Sequence, residues 1–124
     1  MQALTVNTTG DGNTAVGAYA LDANTTASNC TAVGHNALTT NVDTTNNTAI
    51  GSNTLTVNNG GSYNTALGAG ALSGNTTASY NVALGYEAMD QNTTGQNNTA
   101  VGSFALERNT TASANTAVGY EALE

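Results

Sequence analysis

Large aliphatic residues return along this chain in two columns, each at a spacing of seventeen. The first column is Val16, Val33, Ile50, Leu67, Leu84, Val101 and Val118. The second is Leu4, Leu21, Leu38, Leu55, Leu72, Met89, Leu106 and Leu123. Every first-column residue sits between an Ala and a Gly, and every second-column residue but Leu55 follows an Ala. Polar positions keep the same period, and one Asn column runs Asn7, Asn24, Asn41, Asn58, Asn75, Asn92, Asn109. A second runs Asn13, Asn47, Asn64, Asn81, Asn98, Asn115, with Cys30 standing in once. The unit reads approximately N-T-A-V-G-x-x-A-L-x-x-N-T-T-A-S-x. It divides the chain into repeats 13–29, 30–46, 47–63, 64–80, 81–97 and 98–114, with partial units 1–12 and 115–124, all in one domain, 1–124.

A helical hairpin repeat needs more than thirty residues, and Thr, Asn and Gly are poor helix formers. Seventeen residues suit one coil of a parallel β-solenoid, with short strands at T-A-V-G and A-L and a turn at N-T-T-A-S-x. The fold class is therefore all-β. Seven 17-residue coils at strand spacing make a rod of about 34 Å. Both aliphatic columns are expected to form core ladders, with Asn side chains bonding from coil to coil. The recurrent Gly is expected where φ is positive or where a neighbouring backbone comes close.

Each coil offers only two large aliphatics, too little for a robust single-chain core. T-A-V-G is apolar on both faces, which calls for a partner on each. A parallel homotrimer is the expected assembly, and the alternative is a self-assembling extracellular or engineered β-solenoid filament stacked head to tail. The chain starts and stops in mid-repeat, so either it is a segment of something longer or its ends stack on other copies.

Composition narrows the function. Thr, Ala, Asn and Gly fill 77 of 124 positions, while only 7% of residues are charged. One Arg against eight acids, for a net charge of −7, excludes nucleic acid and anionic membrane surfaces as partners. No apolar run is long enough to insert in a membrane. Scarce charge with abundant Thr and Asn points to an extracellular, cell-surface or virion-surface location.

The segments NTAVGYEAL (115–123), NNTAVGSFALERNTTAS (97–113) and YNTALGAGALSGNTTAS (63–79) resemble repeats of phage and viral tail-fibre proteins. They are also similar to the head repeats of trimeric autotransporter adhesins, which carry an N-S-V-A-I-G-like core. The resemblance covers the whole chain. It implies a left-handed β-roll, assembled as a trimer, forming a shaft or head that attaches to a host surface. The seventeen-residue period departs from the shorter adhesin repeat, and no neck, stalk, anchor or fibre-tip segment is present in the sequence.

Candidate chemistry is sparse, and neither an enzyme activity nor a cofactor is expected. His35 has no second ligand at metal spacing. Cys30 reads as a small substitute for Asn. Glu87 with Asp90, and Glu121 with Glu124, fall on opposite sides of A-L and read as solvated acids. Tyr19, Tyr86, Phe104 and Tyr120 follow the Gly in variable positions and are candidate contacts for a receptor or glycan. Tyr63 and Tyr80 fall at the end of the turn. A rival reading is an ice-binding solenoid, because Thr14, Thr31, Thr48, Thr65, Thr99 and Thr116 form a Thr ladder interrupted by Val82. Against it, Val16 is expected in the core, which would turn Thr14 partly inward.

Overall fold

The computed structural model describes residues 2–124. It is a parallel β-solenoid with one short strand per coil. The strands are β1 (Thr14–Val16), β2 (Thr31–Val33), β3 (Thr48–Ile50), β4 (Thr65–Leu67), β5 (Val82–Leu84), β6 (Thr99–Val101) and β7 (Thr116–Val118). They pair in sequence order as one seven-stranded parallel sheet. Register follows the repeat without a slip: Thr14 faces Thr31, Ala15 faces Ala32 and Val16 faces Val33, and so on to β7.

The rest of each coil is turn rather than strand, yet its backbone is still bonded to the neighbouring coils. Leu21 donates to the Ala37 carbonyl at 3.0 Å, and Leu72 to the Ala88 carbonyl at 3.0 Å. Asn36 donates to the Ala18 carbonyl at 3.0 Å. Inter-coil bonding therefore runs well beyond the sheet, and this satisfies backbone groups that a stack of turns would otherwise bury unpaired.

The expected second strand at A-L does not form. Its Leu residues adopt left-handed backbone: φ is 51° at Leu21, 52° at Leu38, 49° at Leu55 and 52° at Leu72. That conformation costs an L-residue with a Cβ about 1–2 kcal/mol. Burying a Leu side chain contributes about 1.5–3 kcal/mol, enough to hold the residue there. A second left-handed column closes the turn at Asn29, Asn46, Tyr63, Tyr80, Asn97 and Ala114. The recurrent Gly meets both of its expected reasons. At Gly68 φ is +134°, and a Cβ would collide with the Gly85 carbonyl oxygen.

The core is thin and built from small residues. Ala32, Ala49, Ala66, Ala83 and Ala100 point inward from the strands, opposite Leu21, Leu38, Leu55, Leu72 and Met89. These Leu-column residues are fully buried, as expected, while Leu123 in the last coil is exposed. Asn24, Asn41, Asn58, Asn75 and Asn92 are buried in one ladder, and Asn47, Asn64, Asn81 and Asn98 in another.

A second expectation is overturned. Val16, Val33, Ile50, Leu67, Leu84, Val101 and Val118 are not a core ladder. They lie on the outer face of the sheet, with Val16 57% and Leu67 49% exposed. The strand is three residues long, so its middle residue alone faces inward. The Leu column leaves room opposite it for a methyl group and not for a second branched row.

Candidate functional site

The outer face of the sheet follows directly from that reversal. Each strand turns its first and third residues outward and buries its Ala, except in β1, where Ala15 is half-buried. Two columns therefore lie side by side on one surface. One holds Thr14, Thr31, Thr48, Thr65, Val82, Thr99 and Thr116; the other holds the aliphatics Val16 to Val118. None of these fourteen positions carries a charge. Rows repeat at about 4.8 Å across the strands, and the columns stand about 6.6 Å apart along them. The Thr column faces outward as well, contrary to the inward turn expected of Thr14. The face is an ordered, uncharged strip of hydroxyl, methyl and branched aliphatic groups.

The aromatic candidates separate into two clusters. Tyr86, Phe104 and Tyr120 make a continuous edge-to-face row, with centroids 5.3 Å apart for the first pair and 6.0 Å for the second. Tyr19 lies elsewhere, edge-on to His35 at 5.9 Å. Glu87 beside Tyr86, and Glu121 beside Tyr120, push those phenols above their ordinary range through a hydrogen bond and like-signed charge. Tyr63 and Tyr80 form a third, stacked pair at 5.1 Å, with planes only 3° apart. Both belong to the same column, seventeen residues apart, so the repeat itself carried the signal for their stacking.

The other polar candidates do not converge. Among the described residues, no three His, Cys, Asp or Glu side chains gather as a metal site would require. Asp90 pairs with the Ser73 hydroxyl rather than with Glu87. Arg108 meets Glu124 at 2.9 Å on the surface. A cavity of about 310 Å³ is walled by core columns met end on, with Leu106 and Leu123 beside Asn109 and Asn115.

Cys30 is buried in the Asn column it interrupts, and burial pushes its thiol above the ordinary range. Its Sγ–H donates to the Thr44 carbonyl at 3.3 Å. Its own N–H reaches Asn13 Oδ1 at 2.9 Å, as the column requires. It offers no oxygen in return. The Asn47 N–H therefore meets the Cys30 sulfur, a weaker acceptor than the Oδ1 that Asn64, Asn81 and Asn98 each find in the coil before. Nearby, Asn41 turns its Nδ2 to the Thr44 carbonyl at 2.9 Å, and the buried Asn24 Oδ1 has no partner. A further ladder was hidden in the turn: Ser62 Oγ accepts from the Thr45 N–H, and Ser79 Oγ from the Ser62 N–H. Ser in a turn reads as local capping, which concealed its inter-coil role.

These features define a parallel β-solenoid of seventeen-residue coils held by Asn ladders, with no catalytic constellation among the described residues. No protein-family model, no curated protein and no solved structure matches the chain.

Proposed function

We propose that this chain is a non-enzymatic structural segment, the shaft or head of a trimeric surface adhesin or viral tail fibre. The observation that carries the reading is the uncharged aliphatic column on the outer sheet face, from Val16 to Val118. A single rod leaves this strip to water. Three parallel rods packed face to face bury it and supply the large side chains that each thin core lacks. The repeat motif supports the same reading through its resemblance to tail-fibre and adhesin-head repeats. The role is mechanical: a stiff rod holds an attachment site away from a virion or cell surface, outside the cell. The row Tyr86, Phe104 and Tyr120 is the candidate contact for a receptor or glycan. Light scattering on the purified chain tests the assembly. A mass of three chains supports the reading, and a stable single-chain mass at micromolar concentration overturns it.

One observation favours a second reading, ice binding. The Thr column and the aliphatic column face outward together, in register over seven strands. A flat array of hydroxyl and methyl groups at regular spacing can order water across a surface. The same face cannot serve both roles, so the two readings are exclusive. Thermal hysteresis from a single-chain species would select ice binding.

A further inference from the structure

The Thr pair of the N-T-T-A corner lapses twice, at Val42-Asp43 and at Asn59-Gly60. Residues 58–61 read Asn-Asn-Gly-Gly, and Asn59–Gly60 is the only Asn-Gly step in the chain. Both residues are exposed. In coils that keep the pair and have a neighbour beyond them, the second Thr has its N–H held by the next coil. Thr26 donates to the Val42 carbonyl at 3.2 Å, Thr77 to the Thr93 carbonyl at 3.2 Å and Thr94 to the Thr110 carbonyl at 3.1 Å. Among the described residues, no acceptor takes the Gly60 N–H. The first Thr of the corner is also anchored elsewhere, as where Thr76 donates its hydroxyl to the Thr93 carbonyl at 3.0 Å. Asn59, in that position, has a carboxamide that makes no hydrogen bond among the described residues.

Three conditions for attack by backbone on side chain therefore coincide at one step. The nucleophile, the Gly60 nitrogen, is not tied into the inter-coil bonding. The Asn59 carboxamide carbon is unrestrained. Gly60 has no Cβ to crowd the ring that must form. We propose that Asn59 is a site of spontaneous deamidation. The Gly60 nitrogen bonds to Asn59 Cγ and gives up its proton, the side-chain amide leaves as ammonia, and a five-membered succinimide closes. One water then opens the ring at either carbonyl, leaving aspartate or isoaspartate at position 59. No oxidant or reductant is consumed.

The consequence lies one residue away. Asn58 is fully buried, with its Nδ2 donating to the Gly61 carbonyl at 2.7 Å and to Asn41 Oδ1 at 3.1 Å. Its Oδ1 accepts from Asn75 Nδ2 at 2.8 Å. Isoaspartate adds a methylene to the main chain of a coil whose neighbours keep a seventeen-residue register. The Asn58 rung is displaced, a new charge joins a chain of net charge −7, and the rod acquires a weak point that grows with time. Local opening at that coil follows.

The test is incubation of the full-length chain in mildly alkaline buffer, followed by peptide mass spectrometry and limited proteolysis. Replacement of the Asn59 amide by hydroxyl is expected at least about tenfold faster than at any other Asn, a barrier difference of about 1.4 kcal/mol. Asp11–Gly12 does not confuse this readout, because its ring closure and reopening leave mass unchanged. Gly60→Thr, which restores the Thr of the corner, is expected to abolish the conversion and keep the circular dichroism spectrum. Cleavage near residue 59 is expected to rise in step with isoaspartate. Asn59 that stays intact in the native rod but converts in the denatured chain would overturn the proposal, as would a rate equal to that of the other Asn residues. Deamidated rods as protease-resistant as fresh ones would overturn the weak point.

Discussion

Asn75 donates from Nδ2 to Oδ1 of Asn58 at 2.8 Å, seventeen residues earlier, and both side chains are completely buried. The same amide also donates to the Ala78 carbonyl at 3.0 Å, closing its own turn. One side chain thus fixes a turn and joins two coils. Asn92 continues the ladder by donating to Asn75 Oδ1 at 3.3 Å. Polar groups this deep are favourable only while every rung is present.

Asn75→Ala removes a rung from the middle. It leaves the buried Asn58 Oδ1 without its donor, removes one of the two amides on the Ala78 carbonyl, and takes from Asn92 one of its two acceptors. The expected loss is about 3 kcal/mol of unfolding free energy, read as a lower urea midpoint. Asn109→Ala, in the same column near its less buried end, is expected to cost about 1 kcal/mol. Equal losses at the two positions would show that the ladder is not cooperative.

Cys30→Asn should stabilise the rod. The new Oδ1 offers the Asn47 N–H a stronger acceptor than sulfur, and the new Nδ2 reaches the Thr44 carbonyl that the thiol now uses. A gain of about 1 kcal/mol is expected. The thiol itself makes a pH prediction. Burial raises its pKa in the folded chain above the ordinary 9.0. As pH rises through 9.0, the unfolded chain loses the proton first and so binds fewer protons than the folded one. Stability therefore falls with alkalinity above that point, and Cys30→Asn should lose this part of the fall. Iodoacetamide should label Cys30 in the denatured chain far faster than in the rod.

The repeat register, the parallel stacking and the Asn ladders were legible in the sequence, because a fixed period forces identical side chains above one another. The Gly column was legible for the same reason. Which apolar face of T-A-V turned inward was not. Alternation gives two opposite faces, and both Ala32 and Val33 pass as core. The choice depends on how far the opposite wall stands, and that wall is made by Leu38 in a conformation its residue type disfavours. Asn29, Asn46 and Asn97 signal left-handed backbone by their chemistry, whereas Leu does not. The A-L pair therefore read as strand. The surface candidates were half legible: Tyr86, Phe104 and Tyr120 share neighbouring columns and meet, while Tyr19 sits too many coils away.

The left-handed columns can be tested at an exposed and a buried position. Ala114 has a φ of 61° and its side chain buries nothing of consequence, so Ala114→Gly relieves backbone strain without opening a cavity. A gain of about 0.5–1 kcal/mol is expected in thermal or urea unfolding. Leu55→Val acts the other way. It removes buried volume at a φ of 49° and adds a branch at Cβ, which this backbone accommodates poorly. A loss of about 2–3 kcal/mol is expected. A destabilised Ala114→Gly variant would mean that the column is not strained.

The outer sheet face gives the prediction that bears on function. Leu67 stands near its centre and is 49% exposed in the single rod. In a chain that works alone, Leu67→Asp only trades one half-exposed side chain for another, and a change of about 0.5 kcal/mol is expected. In an assembly packed on this face, the same substitution buries carboxylates from every chain together, with no cation nearby to pair them, at a cost of several kcal/mol per charge. The expected outcome is that the wild-type chain sediments as three copies and Leu67→Asp as one, with the same circular dichroism spectrum. Val57→Asp is the control, since Val57 is 41% exposed but lies off the strands. It should leave the assembly intact. Dissociation by both variants would place the seam elsewhere on the rod, and a wild-type chain already single in solution would leave the Thr and aliphatic columns to water or ice.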